Sequence, residues 1–366
     1  MTFFFYGTLC DAALLRVVMG RDPVAEPAAL PGYAVHWAAD GPYPVLVTRE
    51  GSAARGVVLR DLTGQDLERL DWYVGGFGAG GRDLVVQVGA EEVVARVYGS
   101  EAAPGEVWDL DAWRGRFGAE VVAAAGDVMA LIGVADAGSV RARRGQMLVR
   151  GAGRVRALQA APSMVRHSAG PGDVVVAAQR QPYAHFFAVE EFDLSFRRFD
   201  GTHSPVVTRA VFISGDAVTV LPYDPVRDRV LVIEQFRVSP FARGDLQPWC
   251  LEAIAGRIDA GESPEDCARR EAAEEAGLTL GALLPVAQYY PSPGAYSEYL
   301  YSYVGLADLP DGVEGVFGVE GEAEDIRGHL IGFDDLMRLM ASGEAANAPL
   351  ILTALWLQRE RARLRS

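Results

Sequence analysis

From Gly256 to Leu278 the chain reads Gly-Arg-Ile-Asp-Ala-Gly-Glu-Ser-Pro-Glu-Asp-Cys-Ala-Arg-Arg-Glu-Ala-Ala-Glu-Glu-Ala-Gly-Leu, a stretch dense in carboxylates around Glu271, Glu274 and Glu275. Carboxylate oxygens are hard donors of the kind Mg²⁺ takes, so their concentration points to a divalent cation and to chemistry on an anion. The element that must position them is local. Ser263 reads as an N-cap, Pro264 as the first helical residue and Gly277 as the stop, which predicts a short helix carrying Arg270 to Glu275. On such a helix Glu271 and Glu275 share a face, and Glu274 falls one turn from Glu271. Like charges at that spacing repel unless a cation sits between them. The plain alternative is a solvated acidic face.

The wider spacing argues against that alternative. Gly256, Glu262, Arg270, Glu271, Ala272, Glu274, Glu275, Gly277 and Leu278 fill every position of the pattern G-x5-E-x7-R-E-U-x-E-E-x-G-U, where U is apolar. The stretch thereby resembles the signature of the Nudix hydrolases. That resemblance implies a loop-helix-loop on an α/β/α sandwich that binds Mg²⁺ and hydrolyses a nucleoside diphosphate linked to another moiety.

The flanking residues narrow the resemblance. Asp224-Pro225-Val226-Arg227-Asp228, Ile233-Glu234-Gln235-Phe236-Arg237, Ala255 before Gly256, Ser292-Pro293-Gly294 and Glu322-Ala323-Glu324-Asp325-Ile326 look like the ADP-ribose pyrophosphatases over about residues 180–360. The implied activity is hydrolysis of ADP-ribose to AMP and ribose 5-phosphate. Glu271, Glu275 and Glu324 with the Ala255 carbonyl are the implied ligands of Mg²⁺, with Mn²⁺ as a substitute. Glu274 is implied as a supporting catalytic group, and Glu322 as the base that deprotonates water, with Glu298 as its rival. Arg209, Arg237 and Glu234 are the implied substrate contacts. Ala210 stands where the family has an acidic residue that touches substrate, which leaves adenine recognition by that route open. The resemblance further implies a homodimer that exchanges N-terminal strands, here the arm from Phe186 to Arg198. Other readings are a hydrolase of another nucleoside diphosphate sugar, such as GDP-mannose, and a nucleotide-binding sensor. The intact box favours the enzyme.

The first 135 residues read as a separate α/β unit, with strands at 3–6, 43–48, 56–59, 84–88 and 92–98 and helices at 14–19 and 65–73. Phe5-Tyr6-Gly7-Thr8-Leu9, Leu30-Pro31-Gly32-Tyr33 and Leu70-Asp71 resemble the γ-glutamylcyclotransferase-like fold. The resemblance implies that the Tyr6-Gly7-Thr8-Leu9 turn offers amides to an anion. Its general base is a glutamate shortly after the Leu-Asp pair, and Val74 stands at that position here. Valine moves no proton, so cyclotransferase activity is not expected. A domain of this kind ahead of such a hydrolase also resembles bacterial fusions linked to tellurite resistance.

Residues 136–172 read as a helical connector and linker, and 173–366 as the hydrolase domain. Taken together the chain is expected to be α/β (α+β), a small barrel or sheet domain followed by a Nudix sandwich. The connector carries Arg141, Arg143, Arg144, Arg150, Arg154 and Arg156, but no interleaved aromatics. With a formal charge of −15 over 366 residues, these read as paired arginines and not as a nucleic-acid surface. All 34 basic residues are arginine, which excludes a lysine Schiff base and a Walker-type phosphate loop. Cys10, Cys250 and Cys267 are too scattered for a disulfide framework or a thiolate zinc site. Neither a leader before Phe3 nor a membrane-spanning apolar run is expected. A cytoplasmic protein is the natural expectation.

Overall fold

The computed structural model describes residues 1–75, 80–99, 102–159, 162–318 and 324–366. Its contacts divide the chain into two compact units, Met1–Pro162 and Ser163–Ser366.

The first unit runs β1 (Phe3–Phe5), α1 (Ala12–Met19), β2 (Ala25–Ala38), β3 (Gly41–Leu59), α2 (Gly64–Gly75), β4 (Gly80–Val88), β5 (Glu91–Gly99), β6 (Pro104–Val107), α3 (Leu110–Trp113), α4 (Ala119–Met129), α5 (Ala137–Ala142) and α6 (Arg144–Ala157). Its strands are ordered β3-β1-β5-β4-β2-β6, and β2 also pairs with β3, so the sheet closes on itself as a small barrel. Phe4, Leu30, Val58, Val86 and Val97 fill the interior. Two expected strands prove to be one: residues 43–48 and 56–59 both lie in β3, which pairs along its length with β2. Pro27 and Pro31 disguise β2 in the sequence; the sheet accommodates Pro31 at a shift of register before Tyr33.

The helices expected to form a connector from residue 136 instead belong to the first unit, because α6 packs against α4. Their arginines are used inside it. Arg154 pairs with Asp127, Arg150 is buried, and Arg144 lies 4.5 Å over the Tyr73 ring while donating to the Tyr73 carbonyl at 3.0 Å.

The second unit runs β7 (Val174–Ala184), β8 (Ala188–Phe196), β9 (Val207–Ile213), β10 (Ala217–Asp224), β11 (Arg229–Phe236), α7 (Val238–Arg243), β12 (Trp249–Glu252), β13 (Ile254–Arg257), α8 (Pro264–Ala276), β14 (Leu283–Tyr289), β15 (Leu300–Leu306), β16 (Val316–Phe317), β17 (Ile326–Gly332), α9 (Phe333–Ser342) and α10 (Ala348–Leu364). The mixed sheet is ordered β14-β15-β10-β11-β17-β16, with β12 added to β11 and β13 to β10. The period of two along its central strands sorts side chains between two cores. Val218, Val220, Leu231 and Ile233 pack under Cys267, Ala268, Ala272 and Ala276 of α8. On the other side Leu221, Tyr223, Val230 and Val232 pack against Phe333, Leu336, Leu350 and Leu357 of α9 and α10. The result is an α/β/α sandwich.

A separate three-stranded sheet, β7-β8-β9, precedes it. The arm expected from Phe186 to Arg198 is therefore displaced: Phe186 and Phe187 lie at the turn of the β7–β8 hairpin, and β7 forms its other side. Polar Gln179-Arg180-Gln181-Pro182 hides β7 in the sequence. Among the described residues no helix is long and apolar enough to cross a membrane.

Candidate active site

Helix α8 forms where local chemistry places it. Ser263 caps it by accepting from the Asp266 amide at 3.1 Å, Pro264 opens it, and Gly277 closes it at φ 62°. Arg270 then organises the acidic side chains. Its Nε and Nη2 reach Glu262 at 2.9 and 3.0 Å, and Nη1 reaches Glu271 at 2.7 Å and Glu274 at 2.9 Å. The Arg257 carbonyl accepts from Nη2 at 3.1 Å, tying the helix to β13.

Glu275 is buried on the sheet side of α8 and accepts from the Ala255 amide at 3.1 Å. Burial pushes its pKa up to about 8; the Ala255 amide opposes this, and the charges of Glu271 and Glu324 add to it. Burial also pushes Glu271 up to about 7, against the pull of Arg270 and with the help of Glu274 and Glu324. Both carboxyls therefore hold a proton more readily than an exposed glutamate does, and a cation would compete for the same oxygens. Gly256 is required by close approach, since a Cβ there would lie 1.8 Å from Glu271 Oε1.

These residues fit a hard divalent cation. The donors are all oxygen, and Gly256 leaves the space the Glu271 carboxylate fills. In this conformation, among the described residues, no three carboxylate, histidine or cysteine side chains are gathered around one point; Arg270 holds Glu271 and Glu274 instead.

A cleft of about 1350 Å³ includes Phe212, Ser214, Glu234, Arg237, Glu298 and His329 in its walls. Glu234 pairs with His329 Nε2 at 2.8 Å. Arg237 is held by Glu252, and Glu298 sits where burial raises its pKa against Arg257, the Ser214 hydroxyl and Arg237. Arg209 is different: it is exposed and donates to the Thr208 carbonyl at 3.0 Å. Strand alternation puts it on the face of β9 opposite to Phe212, so the structure does not bring it into this cleft. Glu324 is exposed, and Glu322 lies outside the described residues.

Three contributors escape a reading of sequence alone. Arg257 lies 4.3 Å over the Phe186 ring and 5.0 Å over Phe187, pinning the hairpin tip. Glu252 and His329 line the cleft from β12 and β17. The available signal was a polar side chain inside an otherwise apolar strand, as in Cys250-Leu251-Glu252-Ala253-Ile254.

In the first unit, Tyr6, Gly7, Thr8 and Leu9 line a cavity of about 80 Å³ with Tyr43, Pro44, Tyr73, Val74 and Tyr98. A Cβ on Gly7 would lie 2.0 Å from Pro44 Cγ, so the turn needs glycine there. Val74 is buried in the wall. Glu68 and Asp71 are exposed, and Asp71 accepts from the Tyr98 hydroxyl.

A capped helix bearing an arginine-organised carboxylate cluster, laid over a mixed sheet in a three-layer sandwich, defines the second unit as a Nudix fold. The NUDIX domain model matches residues 214–353, and the γ-glutamyl cyclotransferase, AIG2-like model matches residues 3–114. The ADP-ribose pyrophosphatase of Escherichia coli strain K12 is 39% identical over 189 residues, 52% of this chain and 90% of that protein. A GDP-mannose pyrophosphatase of Salmonella choleraesuis is 31% identical over 150 residues, 41% of this chain and 77% of its own. A solved ADP compounds hydrolase superposes with a TM-score of 0.41 and 22% identity over 54% of this chain and 100% of its own. The chain belongs to the Nudix family, with a γ-glutamylcyclotransferase-like domain ahead of the Nudix domain.

Proposed function

We propose that the second unit hydrolyses the pyrophosphate of ADP-ribose to AMP and ribose 5-phosphate. The observation that carries this is the complete carboxylate set on α8, organised by Arg270 next to a cleft that holds Arg237, in a chain 39% identical to an ADP-ribose pyrophosphatase. A sensor would bind nucleotide without that set. Glu271, Glu275, Glu324 and the Ala255 carbonyl would hold Mg²⁺, or Mn²⁺ in its place. When bound there, the cation neutralises the diphosphate and polarises a phosphorus–oxygen bond. Arg237 binds the diphosphate through charge-assisted hydrogen bonds, with Glu234 beside it in the cleft. Glu322 takes the proton of the attacking water, Glu298 being the second choice, and Glu274 supports the cluster through Arg270.

The protein in this reading is a cytoplasmic homodimer whose hydrolase domain covers residues 173–366. The motive for the dimer is the β7–β8–β9 sheet, whose β7 exposes Val174, Val175, Val176 and Tyr183. Such an edge is normally covered. Exchange of these strands would give Arg209 a role at the partner's site. The γ-glutamylcyclotransferase-like domain does not catalyse cyclotransfer, since Val74 occupies the wall where a base is needed.

A second substrate reading, another nucleoside diphosphate sugar, draws on Ala210 beside Arg209 and on the similarity to a GDP-mannose pyrophosphatase. A substrate panel with Mg²⁺ titration separates the two. Release of AMP from ADP-ribose at a higher kcat/KM than turnover of GDP-mannose supports the first, and the reverse order supports the second.

A further inference from the structure

We infer that Glu252 is a positioning residue, one that sets Arg237 at the angle from which it grips a diphosphate, and that Asn347 at the start of α10 holds Glu252 in turn. The inference rests on the reading of the cleft as a nucleoside diphosphate site and adds residues that the box itself does not contain.

Glu252 is a buried carboxylate, 6% exposed, at the end of β12. It takes Arg237 side-on, accepting from Nε at 3.1 Å and from Nη2 at 2.7 Å. A guanidinium has five N–H donors in a rigid plane. The side-on pairing uses the edge formed by Nε and Nη2 and leaves the end-on fork, one N–H each from Nη1 and Nη2, for a second anion. That fork presents two parallel N–H groups that match two oxygens of a phosphate. Among the described residues, Arg237's hydrogen bonds run only to Glu252 and, through its backbone amide, to the Pro248 carbonyl.

Glu252 is itself fixed. Asn347 Nδ2 donates to Glu252 Oε1 at 3.2 Å, while Asn347 Oδ1 caps α10 by accepting from the Leu350 amide at 3.0 Å. One amide side chain thus joins the helix terminus to the carboxylate that orients the arginine, and all three residues line the cleft. A long arginine left unanchored loses rotamer entropy on meeting substrate; an arginine held in advance loses less, which appears as affinity.

The test is steady-state hydrolysis of ADP-ribose by the full chain with Mg²⁺, alongside thermal melting. Glu252→Gln keeps the shape but weakens the side-on pair, and KM is expected to rise about tenfold while kcat stays within about threefold. Arg237→Ala is expected to raise KM at least as much, and adding Glu252→Gln to it should change KM by less than about twofold, because the two act as one unit. Asn347→Ser keeps an N-cap acceptor but is too short to reach Glu252, and should raise KM about threefold at an unchanged melting temperature. If Glu252→Gln does not fold, Asn347→Ser decides alone. An unmoved KM in Asn347→Ser, or effects of Glu252→Gln and Arg237→Ala that multiply in the double variant, overturns the inference. A wild-type chain that hydrolyses neither ADP-ribose nor GDP-mannose overturns the reading of the cleft, and this inference with it; if only GDP-mannose is turned over, the same variants are read on that substrate.

Discussion

The cavity of the first unit is walled by Tyr6, Tyr43, Tyr73, Val74 and Tyr98, and the cleft of the second by Glu234, Arg237, Glu298 and His329, with Glu271 and Glu275 on the neighbouring helix. In both places burial raises the pKa of acids it covers, Tyr6 and Tyr43 in the first unit and Glu271, Glu275 and Glu298 in the second. The consequence is opposite in the two places. For the phenols it moves proton affinity away from neutrality: Tyr6 and Tyr43 go up to about 12, Tyr43 helped by its bond to Asp40. They remain protonated donors and take no proton near neutral pH. For the carboxylates the same burial moves affinity toward neutrality, to about 7 for Glu271 and about 8 for Glu275. Their anionic forms are held at a cost that a bound cation would offset. The phenols can therefore only donate near neutral pH, whereas the carboxylates can take up a proton or a cation.

The sharpest way to break this comparison is to neutralise the charge in the second unit. Glu275→Gln removes a buried anionic oxygen and keeps the side chain's volume. It is expected to lower kcat for ADP-ribose by about 100-fold or more, the size associated with losing a metal-bound charge. Steady-state assays across Mg²⁺ concentrations check it. Turnover equal to wild type would remove Glu275 from the cation site.

For the first unit the expected outcome is an absence of rate. The full chain given γ-glutamyl-amino acids or glutathione should release no 5-oxoproline above the uncatalysed background, because Val74 supplies no base, Glu68 is exposed and Asp71 is engaged by the Tyr98 hydroxyl. Enzymatic release abolished by Glu68→Gln would show that a different carboxylate serves, and the contrast between the two units would fail.

What could be read before folding followed the range of the interactions. Ser263, Pro264 and Gly277 bound α8 through contacts within one turn of each end, so the helix and its acidic face were legible from spacing alone. Glu252 acquires its meaning only when β12 joins β11 and α10 arrives with Asn347, contacts that span much of the domain. Arg209, implied as a substrate contact, stands three residues from Phe212 and so on the opposite face of β9; which of those faces meets the cleft is decided by pairing with β8, which spacing alone does not show. The helical character of the connector expected over residues 136–172 is legible in the sequence, but nothing local shows that α6 packs on α4 within the first unit. β7 is hidden for the same reason: Gln179-Arg180-Gln181-Pro182 interrupts any alternation, and this part is a strand only through its pairing with β8.

The proposed dimer offers a smaller test of the same contrast. Light scattering of the full chain at micromolar concentration should give twice the chain mass, and Val175→Glu on exposed β7 should shift it toward the monomer. Arg209→Ala should then raise KM in the dimer, whereas a monomeric wild type would leave Arg209 a surface residue.

The smallest expected effect concerns stability in the first unit, where charge is structural. Asp66 is a buried carboxylate on α2 that accepts from Arg21 Nε and Nη2 at 3.0 and 2.8 Å and from the Thr63 amide and hydroxyl at 2.9 and 2.8 Å. Thr63 Oγ1 in turn accepts from the Asp66 amide at 3.2 Å, which completes a reciprocal cap at the start of α2. The Arg21 guanidinium, opposed by burial and assisted by Thr63, holds this carboxyl well below the usual carboxylate range. A depressed folded-state pKa contributes stability that is complete above the unfolded value, about 3.9, and is lost as pH falls from there toward the folded value. Arg21 is 44% exposed, so solvent screens part of the pair. Asp66→Asn is expected to cost roughly 1–2 kcal/mol at pH 7, at the low end for hydrogen bonds to a charged group. Trp37, Trp72, Trp108 and Trp113 all lie in this unit, so urea unfolding followed by tryptophan fluorescence reports mainly on it. The gap between wild type and Asp66→Asn should be constant from about pH 5 upward and shrink below about pH 4. A gap of the same size at pH 3 and pH 7 would mean that the variant disturbs packing and that the Asp66 charge contributes nothing.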